Sequence, residues 1–202
     1  MKQIAFFGSI GVGKTTAGTV ISEKYSNVQF LQEDLAENPF LPSFYRDMKT
    51  WGFHSSIAML TLMSSYYQKI DESKDIIILD NGVEELIAYT HLECDLGILS
   101  EDDYFVYKRL YDNLVKLLPK VDLYVYFVCD EDEALKRIKQ RARDFEINLD
   151  LGFLSKLNEK YREFVATLPS DKVLILDTTN GYSIDKLVVE VEEKIQCKFI
   201  KK

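Results

Sequence analysis

Several things are scarce in this chain, and each shortage closes a class of protein. Only three of the 202 residues are cysteine. Cys94, Cys129 and Cys197 are widely spaced and odd in number, which argues against a disulfide framework or a zinc cluster. A reducing, cytoplasmic setting is the expectation. No apolar run approaches the ~20 residues that a membrane-crossing helix needs, and mean hydropathy is −0.13. No membrane partner is expected. The first residues enter an apolar strand pattern directly, without a basic segment leading into a cleavable apolar one, so no secretory leader is read. Positive charge is in the minority, with 25 Lys plus Arg against 33 Asp plus Glu and a net charge of −8. A nucleic-acid binder shows a basic stripe. Here basic residues concentrate in one stretch, Lys136-Arg137-Ile138-Lys139-Gln140-Arg141-Ala142-Arg143, which suits a small polyanion better than a duplex. Repeats, low-complexity tracts and linkers are missing too. With 47% hydrophobic residues, the chain suits one domain spanning residues 1–202.

What is present begins at Gly8-Ser9-Ile10-Gly11-Val12-Gly13-Lys14-Thr15, with Thr16 following. A glycine, four residues, then Gly-Lys-Thr is the spacing of a phosphate-cradling loop. Glycines let the backbone turn tightly and aim successive N–H groups at phosphate oxygens. The helix behind it turns the positive end of its dipole to the same anion. Lys14 reaches the terminal phosphates and the Thr15 hydroxyl is a ligand for Mg²⁺. The context is right, because Ile4-Ala5-Phe6-Phe7 reads as a strand before the loop.

Further along, strand and helix patterns alternate. Strands are read at 2–7, 28–31, 76–79, 123–128 and 173–176. Helices are read at 14–25, 44–49, 53–70, 101–118, 131–141, 151–168 and 184–195. Strands that do not alternate in polarity are buried on both faces. The order predicts an α/β fold: a five-stranded parallel sheet with right-handed crossovers and helices on both faces. Glu33 and Asp80 follow the second and third strands, on the edge where open α/β sheets bind ligands. Asp80 suits Mg²⁺, although Asp80-Asn81-Gly82 also spells a turn. Glu33 is placed to take a proton from an attacking hydroxyl. Arg141 and Arg143 can neutralise charge on a transferring phosphoryl group. Met59 and Met63 lie on a helical stripe that reads either as pocket lining or as core.

These residues carry a resemblance. Glu33-Asp34-Leu35 followed by Glu37-Asn38-Pro39-Phe40-Leu41, then Phe44-Tyr45-Arg46-Asp47 and Trp51-Gly52-Phe53, then Arg137-Ile138-Lys139-Gln140-Arg141-Ala142-Arg143-Asp144-Phe145-Glu146, is similar to the pattern of the deoxynucleoside kinase family, especially its bacterial deoxyadenosine/deoxyguanosine kinase branch. The resemblance covers nearly the whole chain and implies a P-loop kinase fold with an Arg-rich lid. It also implies roles: Glu33 as the base for the sugar 5′-hydroxyl, Tyr45 and Glu146 on the 3′-hydroxyl, Arg137, Arg141 and Arg143 in the lid, and Trp51 beside the acceptor.

Departures cluster on the acceptor side. The family's base-reading Gln is Ser56, an Arg seven residues on is Met63, and the Arg after the central-strand Asp is Asn81. That Arg steadies the catalytic carboxylate, and uncharged Asn81 is not expected to replace it. An Asp further on is Leu86. Recognition of a different kind would have to come from Ser56, His54, Asn81, Glu84 or Glu85. The acidic Glu84-Glu85 pair either faces the pocket, where it would repel a phosphorylated acceptor, or opens a solvated helix turn.

The expectation is phosphoryl transfer from ATP, or another nucleoside triphosphate, with Mg²⁺, to the hydroxyl of a nucleoside-like small molecule. A homodimer is implied by the resemblance. The alternatives are a degenerate nucleotide-binding paralogue acting as a regulatory subunit, in a heterodimer with a relative, and a kinase with another acceptor class.

Overall fold

The computed structural model describes residues 1–141 and 149–202. Its centre is a single sheet of β1 (Lys2–Phe7), β2 (Val28–Leu31), β3 (Ile76–Asp80), β4 (Leu123–Val128) and β5 (Val173–Asp177). The strand order is β2-β3-β1-β4-β5, and every neighbouring pair is parallel. Ile4 stands opposite Ile78 on one side and Leu123 on the other. The unbroken apolar run of β3 is matched by burial at all five positions, as a strand covered on both faces requires.

Parallel neighbours need crossovers, and helices supply them. α1 (Lys14–Lys24) and, further along the chain, the last helix, Ile184–Ile195, cover one face. There Ala17, Ile21, Leu187 and Val191 pack on Ile4, Phe6, Ile78 and Val125. The other face lies beneath α3 (Met48–Tyr66), α4 (Leu86–Asp95), α5 (Glu101–Val115) and the helix at Leu151–Thr167. Leu60, Met63, Ile77, Leu79 and Tyr107 form one cluster there, and Phe7, Leu92, Tyr126, Leu157 and Tyr161 another. Two adjacent β1 residues, Phe6 and Phe7, thus serve opposite faces, as the two-residue period of a strand dictates. The short α2 (Leu41–Phe44) and then α6 (Glu131–Arg141), α7 (Leu151–Thr167) and α8 (Ile184–Ile195) complete the set.

The helices differ from the sequence reading in several places, and the one read at 53–70 runs from Met48 to Tyr66. The helix read at 44–49 divides: α2 ends at Phe44 and α3 starts at Met48, because the Asp47 carboxylate accepts the Thr50 amide at 3.2 Å and caps the new helix. The helix from Glu101 ends at Val115. α4 has no counterpart in the sequence reading. Its Ile87, Ala88, Thr90, Leu92 and Glu93 are all buried, and a helix covered on several sides shows little amphipathic period.

Candidate active site

At the carboxyl edge of the sheet the loop from Gly8 to Gly13 runs from β1 into α1. Gly8 has φ +136°, and a Cβ on it would lie 2.3 Å from the Phe127 carbonyl oxygen. Gly11, at φ +81°, would put a Cβ 2.7 Å from the Ala134 carbonyl oxygen. Neither position tolerates a side chain, so the loop lies flat against β4 and α6. Gly13, in a left-handed conformation, caps α1. The Lys14 ammonium donates to the carbonyls of Gly8 at 2.7 Å and Ser9 at 3.0 Å. The Thr178 hydroxyl, fully buried after β5, contacts the carbonyl oxygens of Val12 at 2.9 Å and Val128 at 3.1 Å. Tyr182 Oη donates to Gly13 O at 3.3 Å.

The Thr15 hydroxyl donates to Asp80 Oδ2 at 2.6 Å. A hydroxyl and a buried carboxylate, both hard oxygen donors, converge beside the phosphate loop, and that donor set fits Mg²⁺.

Glu33 follows β2. Asn81, at φ +66°, donates its side-chain amide to Glu33 Oε2 at 2.9 Å. This corrects one expectation. Asn81 supplies no charge, but it does orient the carboxylate, and Asn tolerates the left-handed backbone that this corner requires. The loop carrying Glu33 is fixed by its neighbours: the Asp34 amide donates to Tyr66 Oη at 2.6 Å, and Asn38 donates to Ser55 Oγ at 3.1 Å.

A cavity of ≈ 160 Å³ joins these groups. Gly8, Ile10, Gly11, Lys14, Thr15, Asp80 and Arg141 line its phosphate-loop end, Glu33, Asn81 and Glu85 its middle, and Tyr45, Ser56, Met59, Tyr89 and Glu93 are also in its wall. Glu85 is 3% exposed, so the pair Glu84-Glu85 is no solvated helix turn. Burial pushes the Glu85 carboxyl well above its ordinary range. The Lys14 ammonium pulls it down, while Glu33 and Asp80 push it further up. That upward shift favours the uncharged form and so weakens the repulsion expected from it.

Other sequence candidates sit elsewhere. Met63 is buried in the core cluster beneath α3, and Trp51 stacks on Phe40 with ring centroids 5.8 Å apart; neither lines the cavity. His54 lies in a separate groove with Phe40, Phe53 and Ile57. Arg137 ties α6 to the turn after β5, donating to Thr178 O at 2.8 Å and to Glu133 Oε1 at 3.0 Å. Arg143 and Glu146 lie outside the described residues. Sequence reasoning missed Glu93, Tyr89 and Tyr161 in the cavity wall, and Thr178 beneath the loop. The one available signal was spacing: Glu93 is seven residues, or two helical turns, after Leu86.

The chain has counterparts among known proteins. Residues 4–199 match the deoxynucleoside kinase family. The chain belongs to that family. It is 32% identical to a deoxyguanosine kinase of Bacillus subtilis over 187 residues, 90% of this chain and 87% of that protein. It is 31% identical to a deoxyadenosine kinase of Dictyostelium discoideum over 163 residues, 81% of this chain and 66% of that protein. Among solved structures, the deoxyadenosine kinase from M. mycoides with bound dATP matches with a TM-score of 0.80 at 27% identity, covering 98% of this chain and 100% of that one. The same enzyme with dCMP and dCDP bound gives a TM-score of 0.81 at 28% identity, with 96% and 98% covered. The fold is the P-loop kinase fold, and the chain is a nucleoside kinase by family. No helix among the described residues is long and apolar enough to cross a membrane.

Proposed function

We propose that this kinase transfers the γ-phosphoryl group of ATP to the 5′-hydroxyl of a deoxynucleoside. The observation that carries the reading is the shared cavity. Glu33, oriented by Asn81, opens on the same space as Lys14, Thr15 and Asp80.

The chemistry asks little covalent work of the protein and much positioning. The backbone amides of Gly11 to Thr15 and the Lys14 ammonium hold the donor phosphates. Glu33 accepts the proton of the attacking hydroxyl as its oxygen bonds to phosphorus and the bond to the leaving diphosphate breaks. Arg141, and by resemblance Arg143, offsets charge on the equatorial oxygens. Thr15 and Asp80 would hold Mg²⁺, whose contribution is to neutralise phosphate charge. Tyr45, and by resemblance Glu146, would orient the sugar. The three cysteines are free thiols, which supports a reducing cytoplasmic compartment and a place in nucleotide salvage. A homodimer is the assembly proposed for this chain.

The testing experiment is ATP consumption by the purified protein with Mg²⁺ and each of the four deoxynucleosides and four ribonucleosides, with Lys14→Ala as control. Turnover on a deoxynucleoside that disappears in the control supports the reading. ATP binding without turnover on any of these acceptors overturns it in favour of another acceptor class or a binding subunit. The hydrogen bond from Asn81 to Glu33 supports the catalytic reading over a binding subunit.

A further inference from the structure

The acceptor end of the cavity contains an ionisable pair that phosphoryl transfer does not use. Glu93 on α4 is 4% exposed and Ser56 on α3 is 7% exposed. The Ser56 hydroxyl donates to Glu93 Oε2 at 2.5 Å, and no described residue hydrogen-bonds Oε1. Both side chains line the cavity, well along the chain from the phosphate loop but in the same wall as Tyr45 and Met59. Ser56 also occupies the place of the Gln that the sequence resemblance assigns to the base. A carboxyl group buried in a ligand cavity and held by one hydroxyl is expensive to maintain without a purpose.

We propose that Glu93, held by Ser56, reads the Watson–Crick edge of the acceptor's purine, taking guanine through its carboxylate and adenine through its carboxylic acid. This rests on the nucleoside-kinase reading of the cavity. The argument is one of donor counting. A carboxylate offers only acceptors, and guanine presents two adjacent donors, N1–H and the N2 amino group. A protonated carboxyl offers one donor and one acceptor, and adenine presents an acceptor, N1, beside a donor, the N6 amino group. The carboxylate takes both guanine donors and opposes the adenine N1 lone pair; the acid pairs with adenine and gives up one of the two guanine donors.

Both forms are accessible near neutrality. Burial pushes Glu93 up to about 7, against a smaller downward pull from the Ser56 hydrogen bond. The hydroxyls and the thiol beside it are held neutral by burial. Burial raises the hydroxyls of Tyr107 on α5 and Tyr89 on α4, and Cys94 is pushed up to about 11 by burial, with Glu93, Asp95 and Asp103 adding to it. On α7, Lys160 is paired with Asp95. The amides of Ile98 and Leu99 donate to the Glu93 backbone carbonyl and leave the side chain alone. Glu33, Asp80, Glu85, Lys14 and Arg141 line the same cavity.

The experiment is kcat/KM for deoxyguanosine and deoxyadenosine across neutral pH, in the wild type, Glu93→Gln and Ser56→Ala. In the wild type the deoxyguanosine-to-deoxyadenosine ratio should rise about tenfold per pH unit near neutrality, following the ionised-to-protonated ratio of one group. Glu93→Gln, with one donor and one acceptor fixed, should lower deoxyguanosine turnover by about tenfold or more, keep deoxyadenosine turnover, and flatten the ratio. Ser56→Ala should move the curve to higher pH, because it removes the bond that favours the carboxylate. A wild-type ratio independent of pH, or a Glu93→Gln ratio equal to the wild type's, overturns the inference while leaving the kinase reading intact. Absence of turnover on every nucleoside in the wild type overturns both. Circular dichroism of each variant separates loss of fold from loss of reading.

Discussion

The two ends of the cavity are built on different principles. The phosphate-loop end is mostly local and rigid: eight consecutive residues form its loop, with Asp80 and Arg141 added to them, and two glycines lie where a Cβ would collide with backbone oxygens at 2.3 and 2.7 Å. The acceptor end is assembled from afar. Glu33, Ser56, Asn81 and Glu93 come from four elements, joined in pairs by single hydrogen bonds of 2.9 and 2.5 Å. Triphosphate is common to all donors, so its cradle needs no adjustment. Acceptors differ in hydrogen-bond pattern, and side chains drawn from separate elements can be exchanged without disturbing the sheet.

The comparison can be broken most forcefully at the atom where both ends meet. Glu33→Gln keeps the shape and the Asn81 contact region but cannot accept a proton. We expect kcat to fall about 10²–10⁴-fold with the KM for ATP nearly unchanged; unaltered turnover at saturating substrate would sink the base role. Lys14→Ala attacks the donor end alone. Its kcat/KM should fall about 10²–10³-fold for every acceptor alike, and selective loss with one nucleoside would show that the ends are not independent.

A stability measurement sharpens the contrast next. Burial keeps the Glu93 carboxyl above its unfolded-state value, 4.5 against about 7. The native chain therefore retains a proton that the unfolded chain has lost between those values. Stability from this group falls as pH rises through that window, by on the order of 3 kcal/mol. Urea unfolding at both ends of the window should show the decline in the wild type and a smaller one in Glu93→Gln; equal slopes would mean that Glu93 is already ionised when buried. The smallest effect is expected from Asn81→Ala. It removes one hydrogen bond to a charged group, worth about 1.5–3 kcal/mol when buried and less at a half-exposed site. A drop in kcat of about tenfold, without a change in the KM for ATP, would mark Asn81 as the group that positions Glu33.

The same contrast explains what could be read before the fold was known. The phosphate loop was legible because its function lies in consecutive residues with a fixed spacing. Glu33 and Asp80 were legible because an acidic residue just past a buried strand has one place to go in a parallel sheet. The five strands followed from their unbroken apolar runs. α4 was not legible, since burial of Thr90 and Glu93 along with Ile87 and Leu92 erases the helical stripe. Glu93 was hidden with it, because its meaning depends on Ser56, 37 positions away. Asn81 was misjudged for a related reason: residue type announces charge, but the amide's contact with Glu33 depends on a left-handed corner that only the backbone reveals. Trp51 and Met63 carried aromatic and apolar character that belongs equally to core and to pocket, and the structure sets them in packing clusters outside the cavity wall.

The Thr178 hydroxyl beneath the phosphate loop bears on the order in which the molecule becomes competent. The loop is complete as sequence once the first fifteen residues leave the ribosome. Its Val12 carbonyl, however, is fastened by a residue 166 positions later, and Gly13 by Tyr182. Chains are made from the amino end at some 5–20 residues per second, so the nascent protein carries its nucleotide signature for roughly ten to thirty seconds before the clasp arrives. The loop gains its full set of hydrogen bonds only after nearly the whole sheet has been synthesised, and a chain cut short before β5 holds the motif without these two contacts.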